Sequence, residues 1–277
     1  MRVIVADQAG VCFGVKRALD LVNKEAEKGE GLATLGPLIH NPQVVKKLEE
    51  KGVRVARSVE EVESGAIVMP SHGVPREVQR QAEQAGLRTI DATCPFVATV
   101  HRKAEALARD GYTVVVVGDA GHSEVKAILS AAGEGSVVVS SAEDADVIDW
   151  SGKKVGIVSQ TTQTPERFGD IVGRIAAQAK EVVAHNTICY ATHDRQTAAR
   201  DLAPQVQAMF VVGGRNSANT TRLAEICEDA GVPTYHIETA AEVETEWVKG
   251  MDVVGLTAGA STPEWVIEEV KAKLEQL

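Results

Sequence analysis

The sequence predicts an α/β protein made of three copies of one module, and three observations carry that expectation. Cys12, Cys94 and Cys189 each precede a helical stretch, and Gly36, Gly118 and Gly213 each lie 24 residues downstream of their cysteine. Four residues beyond each glycine stand His40, His122 and Ser217. Between these landmarks, short apolar runs alternate with helical stretches, the pattern of parallel strands joined by crossover helices.

Each element follows in order. The stretches 15–28, 97–110 and 194–207, one after each cysteine, are expected as helices. The runs 32–35, 114–117 and 209–212 are too short and too β-branched or apolar for helices, so they are expected as buried parallel strands. A polar turn and a second helix follow at 43–51, 124–132 and 220–230, with Gly52, Gly133 and Gly231 placed just after them, where helices prefer to stop. Further strands are expected at 53–56, 137–140 and 234–237, and at 66–69, 155–159 and 253–257. The last three lead into turns ending in Pro75, Pro165 and Pro263, each expected to open a helix.

Strands at 87–90 and 181–184 then deliver Cys94 and Cys189. The third module has no such closing strand, because the chain ends in its last helix. Residues 3–6, ahead of Cys12, are the obvious candidate to complete it. The expected fold is therefore three pseudo-threefold-related α/β modules in a trefoil, spanning 13–93, 94–187 and 188–277, with residues 1–12 completing the third.

A length of 277 residues suffices for a substantial core, and 44% hydrophobic with 25% charged residues is ordinary for a globular protein. The net charge of −10 and the lack of any basic run argue against binding nucleic acid or an anionic membrane surface. No apolar stretch reaches the roughly 18–20 residues of a membrane span, and the first residues read as a strand rather than a signal peptide. Four scattered cysteines are too few for a disulfide scaffold. A reducing cytoplasm is the expected setting.

Ligands of open α/β sheets bind where strands end and helix N-termini begin. That places three thiols with His40, His72, His122, Glu124, Thr161, Ser217, Asn219 and Ser261 on one inward-facing set. Cys227 lies within a helix and has no counterpart in the other modules, so it is expected in the core. His101, His185, His193 and His236 also lack counterparts. Three thiols without a fourth suit zinc or an iron–sulfur cluster. A structural zinc would draw on close cysteine pairs, which are absent. A 4Fe–4S cube with three cysteines instead leaves one iron open for chemistry. Glu124, two residues after His122, is placed for acid–base work.

Several segments carry a family resemblance: Gly10-Val11-Cys12-Phe13-Gly14-Val15, Gly36-Pro37-Leu38-Ile39-His40-Asn41, Ser71-His72-Gly73, Asp91-Ala92-Thr93-Cys94-Pro95, Gly121-His122-Ser123-Glu124, Ser159-Gln160-Thr161-Thr162, Ile188-Cys189-Tyr190-Ala191-Thr192 and Thr257-Ala258-Gly259-Ala260-Ser261. Running the length of the chain, they resemble the 4-hydroxy-3-methylbut-2-enyl diphosphate reductase family of the non-mevalonate isoprenoid route. The resemblance implies a trefoil around one 4Fe–4S cluster bound by Cys12, Cys94 and Cys189. It implies reductive loss of the C4 hydroxyl of an allylic diphosphate, with isopentenyl and dimethylallyl diphosphates as products and a ferredoxin- or flavodoxin-type electron donor. It assigns His40, His72, His122, Ser217, Asn219 and Ser261 to the diphosphate, Glu124 to proton donation and Thr161 to positioning the hydroxyl. The run Asn216-Ser217-Ala218-Asn219 departs from the family's second serine, which leaves the backbone N–H of Ala218 as the donor there. The resemblance thus implies altered affinity with activity retained.

Two other readings use the same donors. One is an aconitase-like hydro-lyase, which would turn over without reductant. The other is a non-enzymatic zinc or cluster-binding protein, which metal content and colour would reveal.

Overall fold

The computed structural model of the chain describes residues 1–29, 31–63 and 65–277. A short strand, β1 (Arg2–Val5), opens it. The first module then runs α1 (Phe13–Ala26), β2 (Leu32–Leu35), α2 (Pro42–Glu50), β3 (Val53–Ala56), β4 (Ala66–Met69), α3 (Arg76–Gln84) and β5 (Arg88–Asp91). The second runs α4 (Pro95–Arg109), β6 (Thr113–Val117), α5 (Ser123–Ala132), β7 (Val137–Val139), α6 (Ala142–Asp146), β8 (Lys154–Ser159), α7 (Pro165–Ala176) and β9 (Glu181–Ala184). The third runs α8 (Tyr190–Leu202), β10 (Met209–Val212), α9 (Ala218–Asp229), β11 (Thr234–Ile237), β12 (Val253–Ala258) and α10 (Glu264–Glu275).

These strands make three parallel sheets of one topology: β3-β2-β4-β5, β7-β6-β8-β9 and β11-β10-β12-β1. The closing place that β5 and β9 fill in the first two sheets is taken in the third by β1. It pairs in parallel with β12, Arg2 against Val253 and Val5 against Leu256. The expected three-module α/β fold and its borrowed first strand are both present. Backbone packing divides the chain into two compact units. One holds Met1–Val15, His40–Val44 and Tyr190–Leu277, with the third sheet; the other holds Lys16–Ile39 and Val45–Cys189, with the first two.

Burial on both faces explains why the central strands read as unbroken apolar runs. In β6, Val115 and Val117 pack with Ile157, Trp150 and the Phe168, Ile171 and Ile175 face of α7. Val114 and Val116 point the other way, onto Val100, Ala104 and Leu107 of α4 and Val125 and Ile128 of α5. The third sheet is wound alike: Phe210, Val212, Val254 and Leu256 face α10, while Met209 and Val211 face α8 and α9. Among the described residues, no helix is long and apolar enough to cross a membrane.

Helix boundaries depart from the sequence reading in consistent ways. The helices after the cysteines begin at Phe13, Pro95 and Tyr190, earlier than expected, because each cysteine stands directly before its first helical residue. α8 ends at Leu202 and tightens into a 3₁₀ turn at Ala203–Gln205, since Pro204 has no N–H to continue the α pattern. Of the three prolines expected to open helices, only Pro165 occupies the first turn. Pro75 and Pro263 stand one step earlier as N-caps with extended ψ.

The borrowed strand makes a strong prediction. Deleting residues 2–6 leaves the backbone groups of β12 that now meet β1 without partners. Hydrogen exchange on the truncated protein should show protection lost in Val253–Ala258. Loss confined to residues 12–60 would contradict this pairing.

Candidate active site

The three matched cysteines are held in the same way. The backbone N–H of Cys12 donates to the Ala260 carbonyl (3.1 Å), that of Cys94 to Ser71 (2.9 Å) and that of Cys189 to Thr161 (3.0 Å). Each acceptor lies in the turn just after its module's third strand: β12, β4 and β8. Each thiol also stands at a helix N-terminus, the end where the peptide dipoles favour negative charge. The first-turn N–H of Val15 donates to the Cys12 Sγ at 3.5 Å. All three cysteines are partly exposed, and beside them lie exposed aromatic rings, Phe13, Phe96 and Tyr190.

Cys227 behaves as expected for a core residue. It is fully buried among Met209, Leu223 and Ala224, and burial pushes its thiol up to about 12. It is not built for a metal.

The repeated glycines have a steric reason. A Cβ on Gly118 would sit 2.8 Å from Gln160 Oε1 and from Val125 Cγ2, and one on Gly213 would sit 2.6 Å from Thr262 Oγ1. In the second and third modules the strand-end turns approach too closely for any side chain.

In the unit that holds the first two sheets, Glu124 and Thr161 meet directly. They lie 37 residues apart in the chain and both are buried. The backbone N–H of Thr161 donates to Glu124 Oε1 at 2.6 Å, and its hydroxyl donates to Oε2 at 2.9 Å. Burial raises the Glu124 carboxyl to about 7, against the opposing pull of the two Thr161 hydrogen bonds, and nearby Asp119 adds to the rise. His122 caps α5: its Nδ1 accepts from the Glu124 N–H at 3.1 Å. Burial lowers the His122 pKa, and in the neutral ring that bond leaves the proton on Nε2. His72, also buried, stands edge-on to His122 with centroids 6.4 Å apart.

A residue outside the inward-facing set expected from the sequence joins the two turns. Gln160 is fully buried; its Oε1 accepts from the Asp119 N–H at 2.9 Å and its Nε2 donates to Thr162 Oγ1 at 3.0 Å. It fixes the turn that carries His122 and Glu124 against the turn that carries Thr161.

The other unit gathers His40, Ser217, Asn219 and Ser261. The Ser261 hydroxyl donates to the His40 carbonyl at 3.1 Å. Ser217 is the N-cap of α9, accepting from the Thr220 N–H at 3.4 Å. Asn219 sits within the first turn of α9. It is buried, and neither its amide oxygen nor its nitrogen has a hydrogen-bond partner among the described residues. A buried amide left so costs stability unless a ligand satisfies it. Ala218 is the first helical residue, so its N–H has no intrahelical acceptor. Arg215, the nearest cation in sequence, is engaged elsewhere by Glu242 and the His236 carbonyl. Asn41, directly before α2, accepts at its Oδ1 from the Val44 N–H at 3.0 Å.

Among the described residues, no group of three or more His, Cys, Asp or Glu side chains is clustered tightly enough to hold a single metal ion. Each of the three thiols taken by itself, partly exposed at a helix N-terminus, has the donor chemistry of a thiolate ligand for a soft metal.

Comparison with known proteins agrees along the whole chain. A family model described as LytB protein matches residues 3–275. The 4-hydroxy-3-methylbut-2-enyl diphosphate reductase of Pelobacter propionicus is 47% identical over 277 residues, covering 100% of this chain and 99% of that one. The reductase of that name from Aquifex aeolicus is 44% identical, covering 99% and 96%. A solved structure of (E)-4-hydroxy-3-methyl-but-2-enyl diphosphate reductase, described as the terminal enzyme of the non-mevalonate pathway, is 43% identical, covers 100% of both chains and superposes with a TM-score of 0.70. The Plasmodium falciparum reductase structure, 27% identical, covers 99% of this chain and 87% of that one with a TM-score of 0.92. With a full-length family match, relatives well above 40% identity and the same three-sheet fold, the chain belongs to the LytB family.

Proposed function

We propose that the chain reduces (E)-4-hydroxy-3-methylbut-2-enyl diphosphate to isopentenyl and dimethylallyl diphosphates. Two electrons and two protons are consumed, the C4–O bond breaks, and the hydroxyl leaves as water. The observation that carries this reading is the buried Glu124, raised to about 7 and held at both oxygens by Thr161. An allylic hydroxyl leaves poorly unless protonated, and an acid poised near neutrality suits that task.

Cys12, Cys94 and Cys189 would hold one 4Fe–4S cluster, which when bound supplies the electrons and, at its iron without a cysteine, Lewis acidity. A ferredoxin- or flavodoxin-type protein would deliver those electrons, and a reducing cytoplasm would keep the thiols competent. Protonated Glu124 donates from Oε2 to Thr161 Oγ1, which turns the Thr161 hydroxyl to donate onward to the leaving oxygen. Proton and substrate meet through that one hydroxyl. His122 keeps the acid in place by capping α5 beside it.

The diphosphate would be bound by neutral donors: Ser217, Asn219, Ser261, His40, His72 and His122, with the N–H of Ala218 replacing a serine hydroxyl. Helix N-termini supply the favourable field without a matched lysine or arginine. Asn219→Ala should weaken binding of inorganic diphosphate about tenfold to a hundredfold, the worth of a hydrogen bond to a charged group. Calorimetry reads this directly, and an unchanged affinity would place the anion elsewhere.

The reaction itself is tested with anaerobically purified protein, the allylic diphosphate and dithionite with a viologen mediator. Products should form only with reductant present. Loss of the hydroxyl without reductant would instead reveal a lyase.

A further inference from the structure

We propose that Arg195 and Arg17 are positioning residues that clasp the backbone just ahead of two of the three matched cysteines. Arg195, on α8, is 4% exposed. Its Nη2 donates to the Gly10 carbonyl at 2.6 Å, across 185 residues of chain and two residues before Cys12. Its Nη1 donates to the Ala191 carbonyl of its own helix at 2.5 Å, so the guanidinium is braced in place. Arg17, on α1, repeats the arrangement one module on: its Nη1 donates to the carbonyl of Thr93, the residue before Cys94, at 3.2 Å across 76 residues. In each case the helix that follows one cysteine sends an arginine to the loop that delivers the next.

Cys189 is served differently. The hydroxyl of Thr187 accepts from the Ser159 N–H at 2.7 Å and donates to the Ser159 carbonyl at 2.6 Å, locking that loop to β8. All three delivery loops are therefore pinned within two residues of the thiol, two of them by a cation.

Core packing alone does not account for Arg195. Taking a guanidinium out of water is costly, and an aliphatic chain would fill the same space without that penalty. What the arginine adds is a directed donor to one carbonyl and a fixed positive charge. The carbonyl belongs to Gly10, whose φ of +100° is a left-handed setting that a loose loop would readily leave. The charge matters for the cofactor reading, on which this part of the inference rests. A cube on three thiolates gains negative charge when reduced, so a buried guanidinium beside its ligand loop favours the reduced state.

The test uses holoprotein purified anaerobically, with Arg195→Met, Arg195→Lys and Arg17→Met. Hydrogen exchange reads the clasp, and an electron-paramagnetic-resonance titration reads the midpoint potential. Arg195→Met should speed exchange at Gly10–Cys12 about tenfold or more and shift the midpoint to a more negative value. Arg195→Lys keeps the charge and loses the fork, so exchange should rise while the midpoint stays near wild type. Arg17→Met should loosen Ala92–Cys94 and leave Gly10–Cys12 unchanged. Wild-type exchange at Gly10–Cys12 together with a wild-type midpoint in Arg195→Met overturns the proposal. Should that variant not fold, the half-buried Arg17 decides, and unchanged exchange at Ala92–Cys94 in Arg17→Met is the overturning result. Wild-type protein that takes up no iron and sulfide would refute the cluster reading instead, while the exchange data still judge the clasp.

Discussion

Serine in place of Cys12, Cys94 or Cys189 is expected to abolish stable cluster binding, whereas Cys227→Ser should leave cluster content per folded chain unchanged. The first three share a backbone anchor after the third strand of a module and a place at a helix N-terminus. A serine there keeps the shape and the anchor but presents a hard hydroxyl that resists deprotonation, so a soft iron site loses its ligand. Turnover should fall below detection with it. Cys227 lies inside the apolar core of the third sheet, where burial holds its thiol protonated. Its serine variant should be less stable, by about 1–3 kcal/mol for a poorly satisfied buried hydroxyl, while each folded molecule still carries its cluster. Iron and sulfide analysis after anaerobic purification, with a melting curve alongside, separates the two effects. Full cluster content in any of the three matched variants would break the threefold argument.

Much of this fold was legible in the chain because its signals are local. The strands at 32–35, 66–69 and 209–212 stand where the apolar runs place them, since a strand buried on both faces must be apolar throughout, and the edge strands at 53–56 and 234–237 stand just after the glycines that stop the preceding helices. The missing closing strand of the third module pointed to β1 by elimination, and the pairing of Val5 with Leu256 bears it out. Helix starts were less legible. Cysteine and histidine are not among the usual capping residues, so Cys94 as the N-cap of α4 and His122 as the N-cap of α5 left no familiar mark.

The site was legible residue by residue but not as a set of contacts. Spacing could nominate Glu124 and Thr161 separately; that one threonine would hold both carboxyl oxygens depends on two turns meeting in space. Gln160, which joins those turns, lies in one of the segments that carry the resemblance, but neither its contact nor that of Arg195 with Gly10 is announced by any period. Each acts through a single directed hydrogen bond over a long stretch of chain, and such bonds leave no periodic trace in the sequence.

Glu124→Gln should separate binding from turnover, with kcat reduced about 10²–10⁴-fold, the usual worth of a general acid, and affinity for inorganic diphosphate retained. The geometry makes the variant a clean one. Its amide oxygen can accept from the Thr161 N–H as Oε1 does now, and its NH₂ can donate to Thr161 Oγ1 as the protonated acid would. The turn should therefore keep its shape while the transferable proton is gone. The pH profile supplies a second signature. The working form is protonated, and the carboxyl is raised to about 7, so wild-type kcat should fall as pH rises through about 7. The glutamine variant should lose that limb. Stability should move in the same sense. The folded state holds its proton to higher pH than the unfolded chain, whose carboxyl titrates near 4.5, so between those values folding binds a proton and stability declines as pH rises. The glutamine variant carries no such group. Its stability relative to wild type should therefore be greater at pH 8 than at pH 5, as anaerobic denaturant melts at the two values would show. Near-normal kcat would mean that Glu124 is not the acid, and a difference in stability independent of pH would mean that it is not a buried carboxyl forced to choose its charge.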